Sequence, residues 1–207
     1  MIRPIAPGAP RLGPDPRIVD GADLAGREVS GLQAEELVVR AARAAGARLP
    51  HASALDVRVE SGDLANAVLR GASIVRVHVE AARLTGTAVH EGRLQDVQVS
   101  GCRADLASLE NTRLRRVRFE DCDLRGLDLR GAELDGVRFE RCDLSGAEFS
   151  GARCRRLELV ACELAGIGGI ESLRGSSWDW PTVVGQAGAL AAALGIAVLD
   201  EDGGSAG

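Results

Sequence analysis

The chain has 207 residues, 26 of them Gly, with no Tyr, three Phe and two Trp, so one domain must build its core from Leu, Val, Ala and Ile. All 25 basic residues are Arg, set against 30 acidic ones for a formal charge of -5. That balance excludes a strongly basic nucleic-acid binder and a strongly anionic particle.

The first residues, MIRPIAPGAPRLGPDPR, lack the apolar run and cleavage site of a secretory signal. Residues 1-20, rich in Pro, read as a flexible tail. No stretch reaches the about 18 consecutive apolar residues of a spanning helix. A cytoplasmic protein that does not enter a membrane is the expectation.

From residue 21 to 166 one frame governs the chain. GADLAGREV, around Leu24 and Val29, is already in it, and Leu37, Val39, Ala42, Ala47 and Leu49 keep its inward positions apolar. AEELVVRAARAAGARL also has the Ala, Glu and Arg content of a helix. The unbroken frame and Pro50 favour coil instead.

The frame is then plain. A large apolar residue recurs at every fifth position through Val59, Leu64, Leu69, Ile74 and Val79, and again through Leu109, Leu114, Phe119, Leu124, Leu129, Leu134, Phe139, Leu144 and Phe149. The position two residues before is usually small, as at Gly62, Ala67, Ala72, Gly92, Ala132 and Ala147. A helix keeps a face with steps of three and four, and a strand with steps of two, so a step of five needs another path. A chain that turns after every five residues, with two inward residues per side, closes a square in twenty. Stacked squares pair backbone to backbone at about 4.8 Å and form a solenoid.

Such a solenoid predicts a slower period of twenty. Val57, Val77, Val97, Val117, Val137 and Leu157 share one side, where β-branched residues predict the flattest ladder. Cys102, Cys122, Cys142 and Cys162 stand twenty apart in one inner column. Thiols in single file suit packing better than a tetrahedral metal site or disulfides, and Cys154 is a further inward filler. In CRADLASLE, Ala104 takes a large residue's place with Leu106 outward, which predicts a distorted coil.

After Leu164 the pattern stops. Residues 167-199 read as a loop and a helix that begins at Pro181 and covers the open end of the rod with Trp178 and Trp180. Val183, Val184, Ala187, Leu190, Ala191 and Leu194 make this helix apolar on nearly every side, more than a cap requires, so it predicts a homodimer. Residues 200-207 read as a loose tail.

The units NAVLRGA, CDLRGLDLRGAELDG and CDLSGAEFSGA resemble the pentapeptide-repeat family. The resemblance implies an all-β solenoid, a right-handed quadrilateral β-helix, here of about six to seven coils of 20 residues with a C-terminal capping helix that in some members makes a dimer. It also implies a protein partner: some members look like duplex DNA in shape and charge and bind a type II topoisomerase, DNA gyrase, protecting it from toxins or quinolones.

The surface is weighed beside that resemblance. Between Leu37 and Leu164 there are 20 Arg and 19 acidic residues, so the rod averages to neutral, unlike a duplex with a charge every 1.7 Å or so. The charges are nevertheless sorted. Arg113, Arg115, Arg116, Arg155 and Arg156 fall around one corner, and Glu120, Asp121, Asp123, Glu140, Asp143, Glu158 and Glu163 gather near another, a candidate interaction surface. His51, His78 and His90 sit apart, and the carboxylates face outward, so neither a catalytic group, a cofactor site nor a metal site is expected. A non-enzymatic protein-binding scaffold is the leading reading, and a purely structural or self-assembling rod is the alternative.

Overall fold

Every fifth residue from Gly21 to Gly166 has a positive φ, without an exception. This holds for Gly, Asn and Asp, which tolerate the left-handed region, and for Arg76, Arg116 and Leu106, which pay for it. Each such residue is a corner, and the four residues between corners form a side. The step of five is therefore the spacing of left-handed corners. The computed structural model describes residues 10, 12 and 17–198, so the tail expected at residues 200-207 and most of that expected at 1-20 lie outside the described residues, while Arg17–Asp20 of the latter is a paired strand and not a tail.

The strands run in chain order as β1 (Arg17–Asp20), β2 (Gln33–Arg40), β3 (Ser53–Glu60), β4 (Ser73–Glu80), β5 (Arg93–Ser100), β6 (Arg113–Glu120), β7 (Glu133–Glu140), β8 (Arg153–Arg155), β9 (Glu158–Val160) and β10 (Ser177–Trp178). All pair in parallel, in spatial order β1 to β7, then β9 and β10, with β8 beside β7. From β1 to β9 each residue meets the one twenty positions on, as Val57 meets Val77. The result is a β-solenoid of about eight turns. That exceeds the six to seven coils expected, because pairing begins at Arg17, and the Ala-rich segment after residue 33 is strand and coil, not helix.

Each eight-residue strand spans two consecutive sides and bends at a corner such as Asp96 or Arg116. The valine side was expected to be the flattest, and it shares its strand with the side before it. The other two sides pair through isolated bridges, Asp123 with Asp143 and Asp128 with Glu148 among them. Below, the first side of a coil means residues such as 132–135, and the second, third and fourth follow at 137–140, 142–145 and 147–150.

Inside, Leu124, Leu129, Phe139, Leu144, Phe149, Leu159 and Leu164 are completely buried, and the Phe119 and Phe139 rings stack with centroids 4.9 Å apart. Two inward threonines are satisfied by the coil below: Thr87 Oγ1 donates to the Leu64 carbonyl (2.7 Å) and Thr112 Oγ1 to that of Val89. The coil around Ala104 is not distorted. Ala104 N donates to Asp123 O (2.8 Å) and Leu106 N to Arg125 O (2.7 Å), and Leu106 is simply a corner whose side chain stays 68% exposed.

The repeat ends in a register change. Ser177 pairs with Glu158 and Trp178 with Leu159, nineteen residues on instead of twenty, after a 3-10 turn at Ile170–Leu173. Trp178 packs against the core, whereas Trp180 is 75% exposed and covers nothing. The expected helix is two short ones, α1 (Trp180–Gly185) and α2 (Ala187–Ala193), meeting at Gln186. Asp179 caps α1 by accepting from Thr182 N, with Pro181 in the first turn. Among the described residues no helix is long and apolar enough to cross a membrane.

Candidate interaction surface

The solenoid turns sequence spacing into columns, because residues twenty apart lie one above another on the outer wall. The seven acidic candidates fall into two groups on different sides, not one. Glu120, Glu140 and Glu158 stand on the second side with Asp121 at its closing corner, while Asp123, Asp143 and Glu163 stack on the third. The five arginines belong to the first side and the corner that follows it.

The first acidic group is neutralised from within the coil stack. Arg141 reaches Glu120 (2.5 Å), Asp121 (2.7 Å) and Glu140 (2.6 Å); Arg138 reaches Glu140 (2.9 Å) and Glu158 (2.5 Å); Arg118 reaches Glu140 (2.7 Å). Arg141 holds the Asp121 carboxyl below its ordinary range. Burial of Glu140 opposes its ionisation, but the hydrogen bonds from Arg138 and Arg141 outweigh it and the carboxyl is held low. Sequence reasoning missed these three arginines. The signal was present in the spacing, since Arg118 and Arg138 alternate with the glutamates and stand twenty apart.

The second group is different. Asp123, Asp143 and Glu163 follow one another in register, which places like charges in adjacent coils, an arrangement that costs stability. Arg125 forks onto Asp123 (2.8 and 2.7 Å), which lowers that carboxyl's pKa, and lies 3.7 Å from Asp143. Glu163 has no ion pair among the described residues.

On the opposite, first side Arg113 pairs with Glu133 (3.2 Å), which also takes Arg153 (3.4 Å). Arg156 meets Asp135, and Arg116 meets Asp96 at the corner. Arg115 and Arg155 make no ion pair among the described residues, and Arg93 stacks on Arg113 in register. The rod thus carries an arginine-rich side facing away from an acid-rich one.

The cysteine column is buried and all five thiols are free. Each donates back across the preceding corner, Cys102 to Ser100 O (3.3 Å), Cys122 to Glu120 O (3.2 Å), Cys142 to Glu140 O and Cys162 to Val160 O (both 3.4 Å). Burial pushes the Cys154 thiol up to about 11 and raises Cys162 as well. Among the described residues no cluster of three His, Cys, Asp or Glu could hold a metal ion. His51 lies at a corner, His78 is half-buried near Ser100, and His90 lies 4.0 Å from Glu110, on separate parts of the wall.

Of the candidate dimer residues, Val184, Ala187 and Leu194 are exposed. Val183, Leu190 and Ala191 are half-buried, and Val183 and Leu190 face a cavity of about 340 Å³ shared with Ile170, Leu173 and Trp178. Ile196 and Val198 extend the exposed apolar surface.

With this geometry in view, residues 72–149 match the family model described as a pentapeptide repeat region. No curated protein matches the chain. Among solved structures, a trypsin-treated variant of QnrB1, a plasmid-mediated fluoroquinolone resistance protein, is 21% identical with a TM-score of 0.45, covering 88% of this chain and 100% of its own. HetL, a pentapeptide repeat protein involved in heterocyst differentiation regulation from the cyanobacterium Nostoc sp. strain PCC 7120, is 16% identical with a TM-score of 0.35, covering 76% of this chain and 87% of its own. Rfr23, a pentapeptide repeat protein from the cyanobacterium Cyanothece 51142, is 18% identical with a TM-score of 0.31, covering 79% and 92%.

Proposed function

We propose that this chain, whose residues 72–149 match a pentapeptide repeat region, is a pentapeptide-repeat protein and a non-enzymatic scaffold of the cytoplasm, docking a protein partner through the third side of its last coils. One observation carries the reading: Asp123, Asp143 and Glu163 stack like charge on like charge, Arg125 compensates only the first two, and Glu163 is left without an ion pair among the described residues. A column that weakens its own ladder is accounted for when a cationic surface outside the molecule compensates it. The neighbouring Glu120, Asp121, Glu140 and Glu158 are already compensated and serve the rod.

The finer version takes the partner to be a type II topoisomerase, DNA gyrase, an enzyme that must offer cationic groups to the phosphates of its duplex substrate. A single acidic column with one step per coil, about 4.8 Å, offers far less charge per length than a duplex. Shape and the two-armed length of a dimer through Val184, Ala187 and Leu194 would have to supply the rest.

The test is affinity capture from native cytoplasm with the intact chain and with D143R/E163R, followed by a gyrase supercoiling assay with and without a quinolone. A protein retained by the parent and lost by the variant supports docking, and protection of supercoiling by the parent identifies gyrase. Equal retention by both chains overturns the third-side reading. Failure to retain any protein favours the purely structural rod.

A further inference from the structure

The inward positions are not filled evenly along the rod. On the first side the central inward residue runs Ala34, Ala54, Ile74, Leu94, Leu114, Leu134 from coil to coil, and on the third side Ala44 precedes Leu64 and Leu84. Small side chains on facing walls leave space between them. An apolar cavity of about 450 Å³ occupies the first coils, its lining reaching from Val19 and Leu24 to Val77 and Val79. A second, of about 130 Å³, shares Leu64, Leu69, Ile74 and Val79 with it and extends to Leu124 and Leu127. Beyond them Leu129, Leu134, Phe139, Leu144 and Phe149 are fully buried and close the interior.

Ala54, Leu64, Leu69 and Ile74 point inward yet are only half-buried, because they border this lumen. Its span of three coils is about 14 Å at the usual strand spacing. It tapers from the N-terminal coil to a dead end. At the wide end Arg17 lines the cavity, and Arg27, in the phase of a small inward residue, stays exposed. Neither makes an ion pair among the described residues.

We propose that the lumen binds one linear long-chain monocarboxylate, a fatty acid, tail first, with its carboxylate at Arg17 and Arg27. The volume lies within the range of about 300–1,000 Å³ usual for ligand pockets, with almost entirely apolar walls and a few polar groups at the mouth. Walls of Ala, Leu and Val offer the tail dispersion contacts that an empty apolar cavity forfeits. A narrow blind tube, deepened one coil at a time, selects an unbranched chain. Guanidiniums on opposite sides of the first coil, Arg17 in the lining and Arg27 beyond it, select an anionic head over a neutral one. This site is remote from the charged columns of the last coils and does not depend on them.

The experiment uses the intact chain and saturated fatty acids from octanoate to octadecanoate, below their micelle concentrations, with native mass spectrometry for stoichiometry and calorimetry for affinity. One molecule binds per chain, with affinity rising about fourfold per added methylene and levelling once the lumen is full. A44L/A54L places Leu where Leu64 and Leu84, or Leu94 and Leu114, already fit in the same columns, so it folds; it loses binding by more than tenfold. Ala54→Leu alone provides a milder variant, and circular dichroism confirms the fold of each. R17Q/R27Q removes the preference for the acid over the alcohol of equal length. No binding by the intact chain overturns the proposal. So does binding that survives in a folded A44L/A54L, or several molecules per chain.

Discussion

Arg116 stands one coil above Asp96 at the same left-handed corner, and its Nε and Nη2 donate to the two carboxylate oxygens in a fork. Arg76 does the same to Asp56 two coils earlier. The alternation of acid and Arg along this corner is a vertical clasp between coils, and the aspartate's acceptor role raises the pKa of each guanidinium. Arg116→Met leaves the nearly buried Asp96 with weaker donors such as Gln95, whereas R116M/D96N removes both charges. Discounted for the water that reaches this corner, a double-mutant cycle in urea should give a coupling of about 1–2 kcal/mol. A coupling indistinguishable from zero would reduce the clasp to surface decoration.

Two leucines of one rod should behave oppositely. Leu124 is completely buried, so Leu124→Asp places a charge in a narrow apolar core and should cost more than about 3 kcal/mol. Leu106 is a corner with φ 58° and an exposed side chain, so Leu106→Asn should gain about 0.5–1 kcal/mol by suiting the left-handed region. Denaturant midpoints at constant slope read both, and a destabilised Leu106→Asn would mean that its side chain packs after all.

His78 gives the rod a pH dependence near neutrality. Burial lowers its pKa, Arg58 lowers it further, and Glu80 and Glu60 oppose them, while Nε2 lies 3.0 Å from Ser100 Oγ. The unfolded state therefore binds the proton first. The stability contribution is complete above about pH 6.5 and falls as pH drops through the lower folded value. The carboxylates of Asp121, Asp123 and Asp128, held low by Arg141, Arg125 and Arg130, follow in a second stage beginning near pH 4. His78→Gln should abolish the first stage of a melting series and leave the second, and an unchanged first stage would assign it elsewhere.

The cysteine column should be chemically silent. In native protein the four buried thiols should resist a disulfide reagent at mildly alkaline pH, and all five cysteines should react after unfolding. Cys122→Ala should cost about 1 kcal/mol through the small void it leaves. Stoichiometric zinc in the purified protein would contradict the packing role.

Trp180, Val184, Leu194, Ile196 and Val198 leave large apolar side chains exposed in the C-terminal segment. Such a surface is covered in an assembled protein, and a second copy is the simplest closed solution. Sedimentation equilibrium should give about twice 21.6 kDa for the intact chain, and one copy for a chain cut after Asp179 or carrying V184E/L194E. An intact monomer at about tens of micromolar would remove the two-armed shape.

The sequence by itself determined the path of the chain. Inward residues have to be apolar, and a step of five with a step of twenty above it is visible because burial acts on each residue at its own position. Leu124, Phe139 and the cysteine column are legible for that reason. Tertiary structure decided what depends on two positions at once. Arg118, Arg138 and Arg141 neutralise Glu120, Glu140 and Glu158, whereas Glu163 keeps its charge unpaired among the described residues, because side-chain reach between neighbouring coils sets those pairings and composition does not. The register change at Ser177, the exposure of Trp180 and the division of the helix at Gln186 arise where the repeat no longer supplies a coil to stack on. The lumen likewise exists only when Ala34, Ala44 and Ala54 are brought face to face, since a small residue read alone in the frame looks like one more well-packed inward position.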